Sequence, residues 1–433
     1  MKPKSPPIDA DRQGDMFRTL LEDIIDMNHE LVRLAGFIPW DELDREYGAL
    51  YRPDTGRPGA PTRLLVGLHY LKEASNLSDE RTVKAWTENP YWQYFCGMKY
   101  FEHKPPIDPT TMTKWRQKLG EDKLEKMLAA TVRAGLDMKM LRPKSFDKVN
   151  VDTTVQEKAV HYPTDARLYF DMREKLVRMV REHGVELRQS YVRLSKVALF
   201  QAGRYAHARQ MKRAKKQIKK LRTHLGCVVR DIRRKIEGDA ARQAAFREPL
   251  ELADRLLSQK RTDSNKLYSI HAPETECIAK GKTHKKYEFG VKVSVATTSR
   301  EGFVIGKRAL PGNPYDGHTL SGSIEQAGRV IGRELDGDVF ADRGYRGHDY
   351  EGRALVHIVA RIKKSCRKAM ENWMRRRAAV EPEIGHMKND GRLGRNYLKG
   401  AVGDCLNAIL CGCGQNIRKL LAFLGARPQA VAG

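Results

Sequence analysis

The N-terminal third of the chain repeats apolar residues at the three- and four-residue spacing of helices. This pattern predicts an all-helical domain over residues 16–141, after a polar stretch at residues 1–15 that we expect to be disordered. Ser78 and Asp108 are predicted N-caps, and Pro109 suits the first position of the helix that follows. A helix, a short turn and a second polar helix are typical of helix-turn-helix modules and also of plain helical bundles. The sequence alone leaves both interpretations open.

The hydrophobic period changes to two residues at residues 148–155. Val149 and Val151 then lie on one face of a strand, and Asn150 and Asp152 lie on the other. Aspartate is uncommon in strands. An aspartate on a strand whose opposite face is apolar therefore indicates a functional role for the carboxylate. The alternative is an ordinary exposed aspartate.

Helical periodicity returns over residues 168–262 and predicts a long helical insertion after the first strand. An apolar seam recurs there at the spacing of a coiled coil: Met211, Ala214, Ile218, Leu221, Leu225, Val228 and Ile232. Residues 201–240 hold 13 Lys or Arg against 3 Asp or Glu, so the outer face is a positive stripe. This stripe is either a solvated helix face or a surface that contacts a nucleic-acid backbone.

Short strands alternate with helices in the remainder of the chain. Strands are predicted at residues 287–297, 302–310, 338–342 and 356–360, with helices ending near residues 331 and 388. A C-terminal helix at residues 404–424 precedes a flexible tail at 425–433. The order strand, insertion, strand, strand, helix, strand, helix, strand, helix is typical of a ribonuclease H-like α/β fold. We therefore predict one such domain at residues 145–403, with helices on both faces of a mixed sheet.

The charge balance of the chain is strongly positive. Its 433 residues include 80 Lys or Arg and 54 Asp or Glu, which gives a formal charge of +26. A polyanion is therefore the expected partner, and double-stranded nucleic acid is favoured over an anionic membrane surface. There is no apolar run of about 18 residues and no signal-peptide core, so we expect a cytoplasmic, nucleoid-associated protein without a membrane partner.

The seven cysteines are odd in number and irregularly spaced, which argues against a disulfide framework. Cys405, Cys411 and Cys413 lie close together on the predicted C-terminal helix. Zinc binding and buried thiols are the two interpretations. Buried thiols are preferred because no paired Cys-x-x-Cys or neighbouring histidine pair accompanies these residues.

Two acids stand where phosphoryl transfer would need them. Displacement at a phosphodiester requires an activated oxygen nucleophile, a neutralised phosphate and a stabilised leaving oxygen, which two divalent ions about 3.5–4 Å apart can supply. Hard ions such as Mg²⁺ take oxygen ligands, so a few carboxylates suffice. Asp152 would be the first and Asp342, at the end of a later strand, the second; Gly344 and Gly347 follow it and allow close approach of a ligand. Asp338 lies at the other end of that strand and is the weaker candidate.

The third carboxylate is expected from the predicted helix that ends near residue 388. At about 100° per residue, Arg377, Glu381 and Lys388 fall on one helix face, whereas Glu383 lies about 160° away. Glu381 is therefore preferred. Pro382 disfavours helical backbone at the residue before it. Either the helix kinks there, or Glu381 lies near a helix start and the shared-face argument is weaker.

Five segments together resemble the insertion-sequence-five family of DDE transposases: residues 150–154, 161–166, 312–316, 341–345 and 380–388. The helical N-terminal domain is also similar to that of the family, so the resemblance covers most of the chain. Related transposases carry a tyrosine, an arginine, a glutamate and a lysine with two, three and six residues between them. Arg377, Glu381 and Lys388 match these spacings, while Met374, beside Trp373, stands at the tyrosine position.

The resemblance implies a transposase that cleaves the ends of an insertion sequence and joins the freed 3′-hydroxyls to target DNA. It implies two Mg²⁺ ions, with Mn²⁺ as a substitute, held by Asp152, Asp342 and Glu381. Arg377 and Lys388 would contact phosphates of the transposon end, and joining two ends implies a homodimer. Further DNA contacts are expected from basic residues of the second N-terminal helix and of the glycine loop: Lys114, Arg116, Arg343 and Arg346.

Three other functions compete with this one. A catalytically inactive DNA-binding protein derived from a transposase would typically have lost an acid, whereas all three are present. A structure-specific resolvase shares the acid chemistry but needs neither an N-terminal end-recognition domain nor the helical insertion. A serine or tyrosine recombinase is disfavoured because Tyr345 and the serines lack a surrounding basic and nucleophilic constellation.

Overall fold

The computed structural model describes residues 18–51, 59–260, 262–279, 285–358, 372–374 and 376–426. The predicted tail at residues 1–15 lies outside these ranges, as does most of the one at 425–433. The chain divides into two compact units, one of Met1–Glu157 with Val291–Gly433 and the other of Lys158–Gly290. The second unit contains residues 168–262, where the sequence predicted a helical insertion, and extends beyond them on both sides.

The described N-terminal residues of the first unit are mainly helical, as predicted. The helices are α1 (Leu21–Ile24), α2 (Glu30–Ala35), α3 (Trp40–Gly48), α4 (Thr62–Ala74), α5 (Asp79–Glu88), α6 (Pro90–Phe95) and α7 (Pro109–Asp137). The Ser78 side chain accepts a hydrogen bond from the Arg81 amide at the start of α5. Asp108 caps α7 in the same way by accepting from the Thr110 amide. Each cap satisfies an amide that a helix start otherwise leaves unpaired.

A mixed sheet lies at the centre of the first unit. The strands of the chain are β1 (Lys148–Glu157), β2 (Glu276–Ala279), β3 (Tyr287–Thr298), β4 (Val304–Leu310), β5 (Asp338–Ala341) and β6 (Leu355–Ile358). The neighbours run β3, β1, β5, β6, and β4 pairs with β3. Strand β2 pairs with the first four residues of β3 inside the second unit. The alternation of strands and helices predicted after residue 287 is therefore confirmed at the level of a mixed α/β architecture.

Strand directions in this sheet follow from the backbone pairing. Strands β1 and β5 are parallel, as are β5 and β6, whereas β3 and β4 are antiparallel. The amide of Ser299, just after β3, donates to the carbonyl of Lys148, the first residue of β1, at 2.9 Å. The start of one strand thus lies beside the end of its neighbour, so β3 and β1 run antiparallel.

The described part of the first unit also contains the helices α12 (Leu320–Ile331), α13 (Val380–Asn389) and α14 (Gly400–Gly425). Short 3₁₀ turns precede β1, open α12 and follow β5, at Pro143–Asp147, Asp316–Thr319 and Arg343–Tyr345. Helix α14 packs against α4, α7 and β4. It is buried nearly all round, whereas the sequence predicted a shorter, amphipathic helix. Cys411 and Cys413 on this helix are buried, whereas Cys405 is half-buried.

The second unit is built on a helical bundle with its own apolar core. Its helices are α8 (Asp165–Glu182), α9 (Val192–His207), α10 (Met211–Ile236) and α11 (Ala240–Ser258). The predicted seam of α10 is buried at Leu221, Leu225 and Ile232, but Met211 at its start is 54% exposed. The lysines of the positive stripe are exposed: Lys212, Lys215, Lys216, Lys219 and Lys220.

Candidate active site

Asp152 and Asp342 come from neighbouring parallel strands. Asn150 of β1 lies opposite Phe340 of β5. The same register, continued by two residues, brings Asp152 beside Asp342, which directly follows β5. Side chains two residues apart on a strand share a face, and neighbouring strands are about 4.8 Å apart. The fold therefore brings together two acids that are distant in the sequence.

One guanidinium, that of Arg377, contacts both carboxylates. Its Nη2 lies 2.9 Å from Asp152 Oδ2 and 3.7 Å from Asp342 Oδ2. The other oxygen of each acid accepts a backbone hydrogen bond, from the Thr153 amide at 2.7 Å and from the Gly344 amide at 2.8 Å. The two acids thus face a common positive charge, which offsets their mutual repulsion.

The predicted third acid, Glu381, lies in the first turn of α13, which begins at Val380. Of the two alternatives raised by Pro382, the structure therefore shows the helix start. A helical turn leads from Arg377 to this point, since the Glu381 amide donates to the Ala378 carbonyl at 3.1 Å. The Glu381 side chain is exposed. The structure thus brings together Asp152 and Asp342, two of the three candidate acids. Among the described residues, no three His, Cys, Asp or Glu side chains lie close enough to hold a metal ion.

The two acids ranked lower by the sequence are engaged elsewhere. Glu383 contacts Lys419 Nζ at 2.6 Å and accepts from Gln415 Nε2 at 2.7 Å, which ties α13 to α14. Asp338 is bonded to His357 Nε2 at 2.7 Å, at the opposite end of β5 from Asp342. These partners give both side chains a structural role.

A further aspartate, Asp316, lies at the same place and was not singled out from the sequence. Its Oδ1 is 3.1 Å from Lys292 Nζ and accepts from the Thr153 hydroxyl at 3.1 Å. A methyl group placed on Gly344 would lie 2.9 Å from Asp316 Oδ2 and 2.9 Å from Asp342 Oδ1. The two carboxylate oxygens therefore lie within twice that distance of each other, and only glycine leaves the gap between them open.

The local sequence pattern does not reveal this contact. Lys292 alternates with Val291, Val293 and Val295 along β3, as a residue on the other face of the strand does, but it is only 9% exposed. A lysine in such a position needs a carboxylate partner, because a buried unpaired ammonium is costly. Residues 312–316 belong to the segments that resemble the transposase family, but nothing in them connects Asp316 with this lysine.

Tyr345 lies beneath these three aspartates. It is fully buried, and its hydroxyl makes no hydrogen bond of regular geometry with a described residue. Burial raises the pKa of Tyr345 well above its usual value, and the charges of Asp152, Asp316 and Asp342 raise it further. The phenol therefore stays protonated, which agrees with the rejection of a tyrosine nucleophile.

The basic residues predicted to contact DNA occupy different environments. Lys114, Arg343 and Arg346 are exposed, and Lys388 is half-buried. Arg377 is 14% exposed and bound to the acids described above.

Arg116 is the exception, because it is 2% exposed and its guanidinium makes two hydrogen bonds to the carboxylate of Asp79. The helical spacing that placed it beside Lys114 turns its side chain toward α5 and the core. The structure thus gives Arg116 a buried ion pair in place of the solvent-facing position that the DNA-contact prediction requires.

Comparisons with known proteins agree with this architecture. Residues 19–118 match the family described as "Transposase domain (DUF772)", and residues 261–410 match the family described as "Transposase DDE domain". The second match includes Asp342 and Glu381, while Asp152 lies outside it. A protein of Rhizobium meliloti named "Uncharacterized protein ORF8 in nfe locus" is 53% identical over 210 residues, 48% of this chain and all of that protein. No solved structure matches.

These matches define a class of nucleic-acid phosphoryl-transfer enzymes whose members generally use divalent metal ions and act on DNA. The chain belongs to the DDE transposases of insertion sequences. Among the described residues, no helix is both long and apolar enough to span a bilayer.

Proposed function

We propose that the chain is an active transposase of the insertion-sequence-five type with a ribonuclease H-like catalytic domain. It binds the ends of its insertion sequence, cleaves them to free 3′-hydroxyls, and transfers these to target DNA. Asp152, Asp342 and Glu381 are its three acids. The strand order and directions of the sheet, with Asp152 on β1 and Asp342 after the parallel strand β5, support this assignment.

The observation that carries the proposal is the contact of Arg377 with both Asp152 and Asp342. Two carboxylates from strands far apart in the chain converge on one cation. Carboxylate oxygens are the ligands that Mg²⁺ and Mn²⁺ take, so this pair fits a divalent metal. Glu381 follows Arg377 by one helical turn, which is within side-chain reach of the same place.

In this proposal Asp152, Asp342 and Glu381 would hold two divalent ions. Such ions, when bound, lower the pKa of the attacking water and stabilise charge on the leaving oxygen. Arg377 and Lys388 contact the phosphates on either side of the scissile bond and hold it in line for attack. Water attacks phosphorus and the bond to the 3′-oxygen breaks, which leaves a 3′-hydroxyl. That hydroxyl then attacks the phosphorus of a target phosphodiester, whose bond to its own 3′-oxygen breaks and leaves a 3′-hydroxyl on the target strand. No covalent bond between protein and DNA forms.

The reaction requires more than one copy of the protein. Two transposon ends must be cut and joined to the same target DNA, so a homodimer is the minimal synaptic complex. It acts on chromosomal DNA in the cytoplasm. Lys114, Arg343 and Arg346 are exposed and supply further contacts with the duplex. The exposed lysines of α10, in the second unit, are a separate set of cations that suits a DNA backbone.

The test uses purified full-length protein, Mg²⁺ or Mn²⁺, and a duplex that carries the inverted repeat flanking its gene. Cleavage that frees a 3′-hydroxyl, and joining of that end to a plasmid, are expected. Asp152→Asn, Asp342→Asn and Glu381→Gln should each abolish both steps and leave end binding largely intact, because binding rests mainly on phosphates. Asp338→Asn is the matched control on the same strand as Asp342 and should retain cleavage.

Substantial cleavage by any of the three acid variants would overturn the assignment of that acid. Binding without any metal-dependent nicking by the wild-type chain would favour the inactive, DNA-binding alternative. Nothing in the described residues favours that alternative, since all three candidate acids are present.

A further inference from the structure

The loop between α13 and α14 carries a cationic surface that the proposed mechanism does not use. It consists of Arg392, Arg395, Tyr397 and Lys399, and we call it the Tyr397 surface. The guanidinium carbons of Arg392 and Arg395 each lie 5.6 Å from the centre of the Tyr397 ring, which is 58% exposed. A guanidinium within about 6 Å of an aromatic ring is attracted to it. The ring therefore orders two long side chains that would otherwise be free to move.

Asp79 and Glu80 line the same cleft as Arg392, Tyr397 and Lys399, but the cations of this surface are not paired with them. None of Arg392, Arg395 and Lys399 forms an ion pair with a described carboxylate. Other exposed arginines do, as in the contact of Arg353 with Glu334 at 3.4 Å. Three neighbouring cations repel one another, and a bound polyanion would relieve that repulsion. The expected partner is therefore an anion with several charges.

The N-terminus of helix α14 adds to the positive charge of the Tyr397 surface. Lys399 is its N-cap residue, and its side chain makes no capping hydrogen bond. The first amides of this 26-residue helix carry a partial positive charge, which a lysine at the cap increases. Val402 in the first turn is 59% exposed, so an anion can approach the helix start. Lys399 and a helix N-terminus together form a phosphate-binding arrangement.

Asn396, which is 1% exposed, connects the loop to β1 and to α14. Its amide donates to the carbonyl of Glu157 at 2.7 Å, and its Nδ2 donates to Asp404 at 2.7 Å. Glu157 is the last residue of β1, five residues after Asp152, which corresponds to roughly 17 Å along the strand. A B-DNA strand advances about 3.4 Å per base pair, so this length matches about five base pairs.

We propose that the Tyr397 surface binds the sugar–phosphate backbone of the DNA duplex, about five base pairs from the bond that is cut. The location of that bond rests on the proposed function, whereas the affinity of the surface for DNA does not. Contacts with phosphates carry no sequence information, so the surface positions the duplex without selecting its sequence.

The first test measures how the association constant of the full-length protein depends on salt. Two duplexes of equal length serve as probes, one carrying the flanking inverted repeat and one of random sequence. Each lost phosphate contact lowers the slope of log K against log salt by about 0.9, so Arg395→Ala/Lys399→Ala should lower it by about 1.8 on both duplexes. Arg353→Ala removes an exposed but paired cation and should leave the slope unchanged. An unchanged slope in the double variant, with a normal melting temperature, overturns the proposal.

Tyr397 variants separate the ring from its hydroxyl. Tyr397→Phe keeps the contacts with both arginines and should bind both duplexes like the wild type. Tyr397→Ala releases the arginines and should weaken binding by roughly threefold to tenfold. Equal affinity of the alanine variant and the wild type would show that the ring does not organise the surface.

Footprinting locates the contact relative to the cleavage site. Asp152→Asn protein on the end duplex should protect phosphates about five base pairs from the cut bond, and adding Arg395→Ala/Lys399→Ala should remove that protection. Protection that persists there overturns the proposed position. If Asp152→Asn still cleaves, the proposed role of Asp152 fails, while the salt slope still decides whether the surface binds DNA.

Discussion

Lys292 and Asp316 form an ion pair beside the two acids that Arg377 bridges. Lys292 Nζ lies 3.1 Å from Asp316 Oδ1 and donates to the Pro314 carbonyl at 2.7 Å. The lysine side chain is 11% exposed and the aspartate 24%. A strand of the sheet thus holds the loop that carries Asp316, and the Thr153 hydroxyl holds the same carboxylate from β1.

Replacing Lys292 should lower both the stability of the protein and its cleavage activity. Lys292→Met leaves Asp316 without a counter-charge near Asp152 and Asp342, and we expect the free energy of unfolding to fall by about 2 kcal/mol. Cleavage should fall by about tenfold or more, because the misplaced loop disturbs both acids. Urea denaturation and the end-cleavage assay measure the two effects.

A double-mutant cycle identifies the cause. Asp316→Asn keeps the shape of the side chain and removes its charge, so Lys292→Met/Asp316→Asn should be more stable than Lys292→Met alone. A double variant with the summed losses of the two single variants would mean that the ion pair does not couple these residues.

Gly344 provides the space between Asp316 and Asp342. An alanine methyl group would lie 2.9 Å from an oxygen of each, closer than a carbon can approach without movement. We expect Gly344→Ala to lower cleavage by about tenfold to a hundredfold, because both carboxylates must shift. Gly48→Ala is the control, since nothing lies within 4 Å of a methyl group there. A Gly344→Ala protein with wild-type cleavage would show that the gap has no functional role.

The sequence predicted those parts of the site that depend on local pattern. Asp152 could be found because it stands on a strand with strict alternation, and Asp342 because a glycine loop follows a short strand. Their proximity was predicted from the fold, and the parallel pairing of β1 with β5 confirms it. Glu381 was preferred over Glu383 from helical spacing and from the spacing signature of the family. Because a helix begins at Val380, the shared-face argument is weaker, and the choice of Glu381 stays a prediction.

The parts that could not be predicted depend on contacts between distant segments. Asp316 reaches the site only because a turn folds back over β3 onto Lys292, which local patterns do not encode. Arg116 has the spacing of an exposed helical residue, but Asp79 on α5 draws it into the core. The polar residues of helix α14 predicted that one face of it is exposed to solvent. Asn407 and Asn416 are instead buried and hydrogen-bonded. In each case tertiary pairing determines the environment.

Lys114 and Arg116 should therefore respond differently to alanine. Arg116→Ala leaves Asp79 partly buried without its bidentate partner, so we expect a loss of about 3 kcal/mol in unfolding free energy. Lys114→Ala should leave stability unchanged and, if α7 contacts DNA, weaken binding of the end duplex and lower its salt slope by about 0.9. Thermal denaturation and titration at several salt concentrations separate the two. Equal stability of the two variants would contradict the buried role of Arg116.

Glu381 and Glu383 offer a matched pair on one helix. Glu381 is exposed, so Glu381→Gln should keep the melting temperature and lose cleavage. Glu383→Gln weakens the contact with Lys419, and we expect it to lower stability by about 1 kcal/mol while cleavage is retained. The reverse outcome, with cleavage lost only in Glu383→Gln, would reassign the third acid.

The buried His69 predicts how stability depends on pH. Burial, followed by the charge of Arg116, lowers the pKa of His69 from 6.5 to about 3, and Lys72 lowers it further, while the Leu65 carbonyl and Asp79 oppose this shift. The folded chain therefore leaves this ring neutral, whereas the unfolded chain protonates it below its ordinary pKa of about 6.5. Because the unfolded state then binds more protons, the folded state loses stability as the pH falls, by about 1.4 kcal/mol per pH unit well below that pKa. His69→Gln cannot titrate, so its stability deficit relative to the wild type, measured by urea denaturation, should narrow by about 2 kcal/mol between pH 7 and pH 5. A deficit that stays constant over this range would mean that the ring is not held neutral in the folded protein.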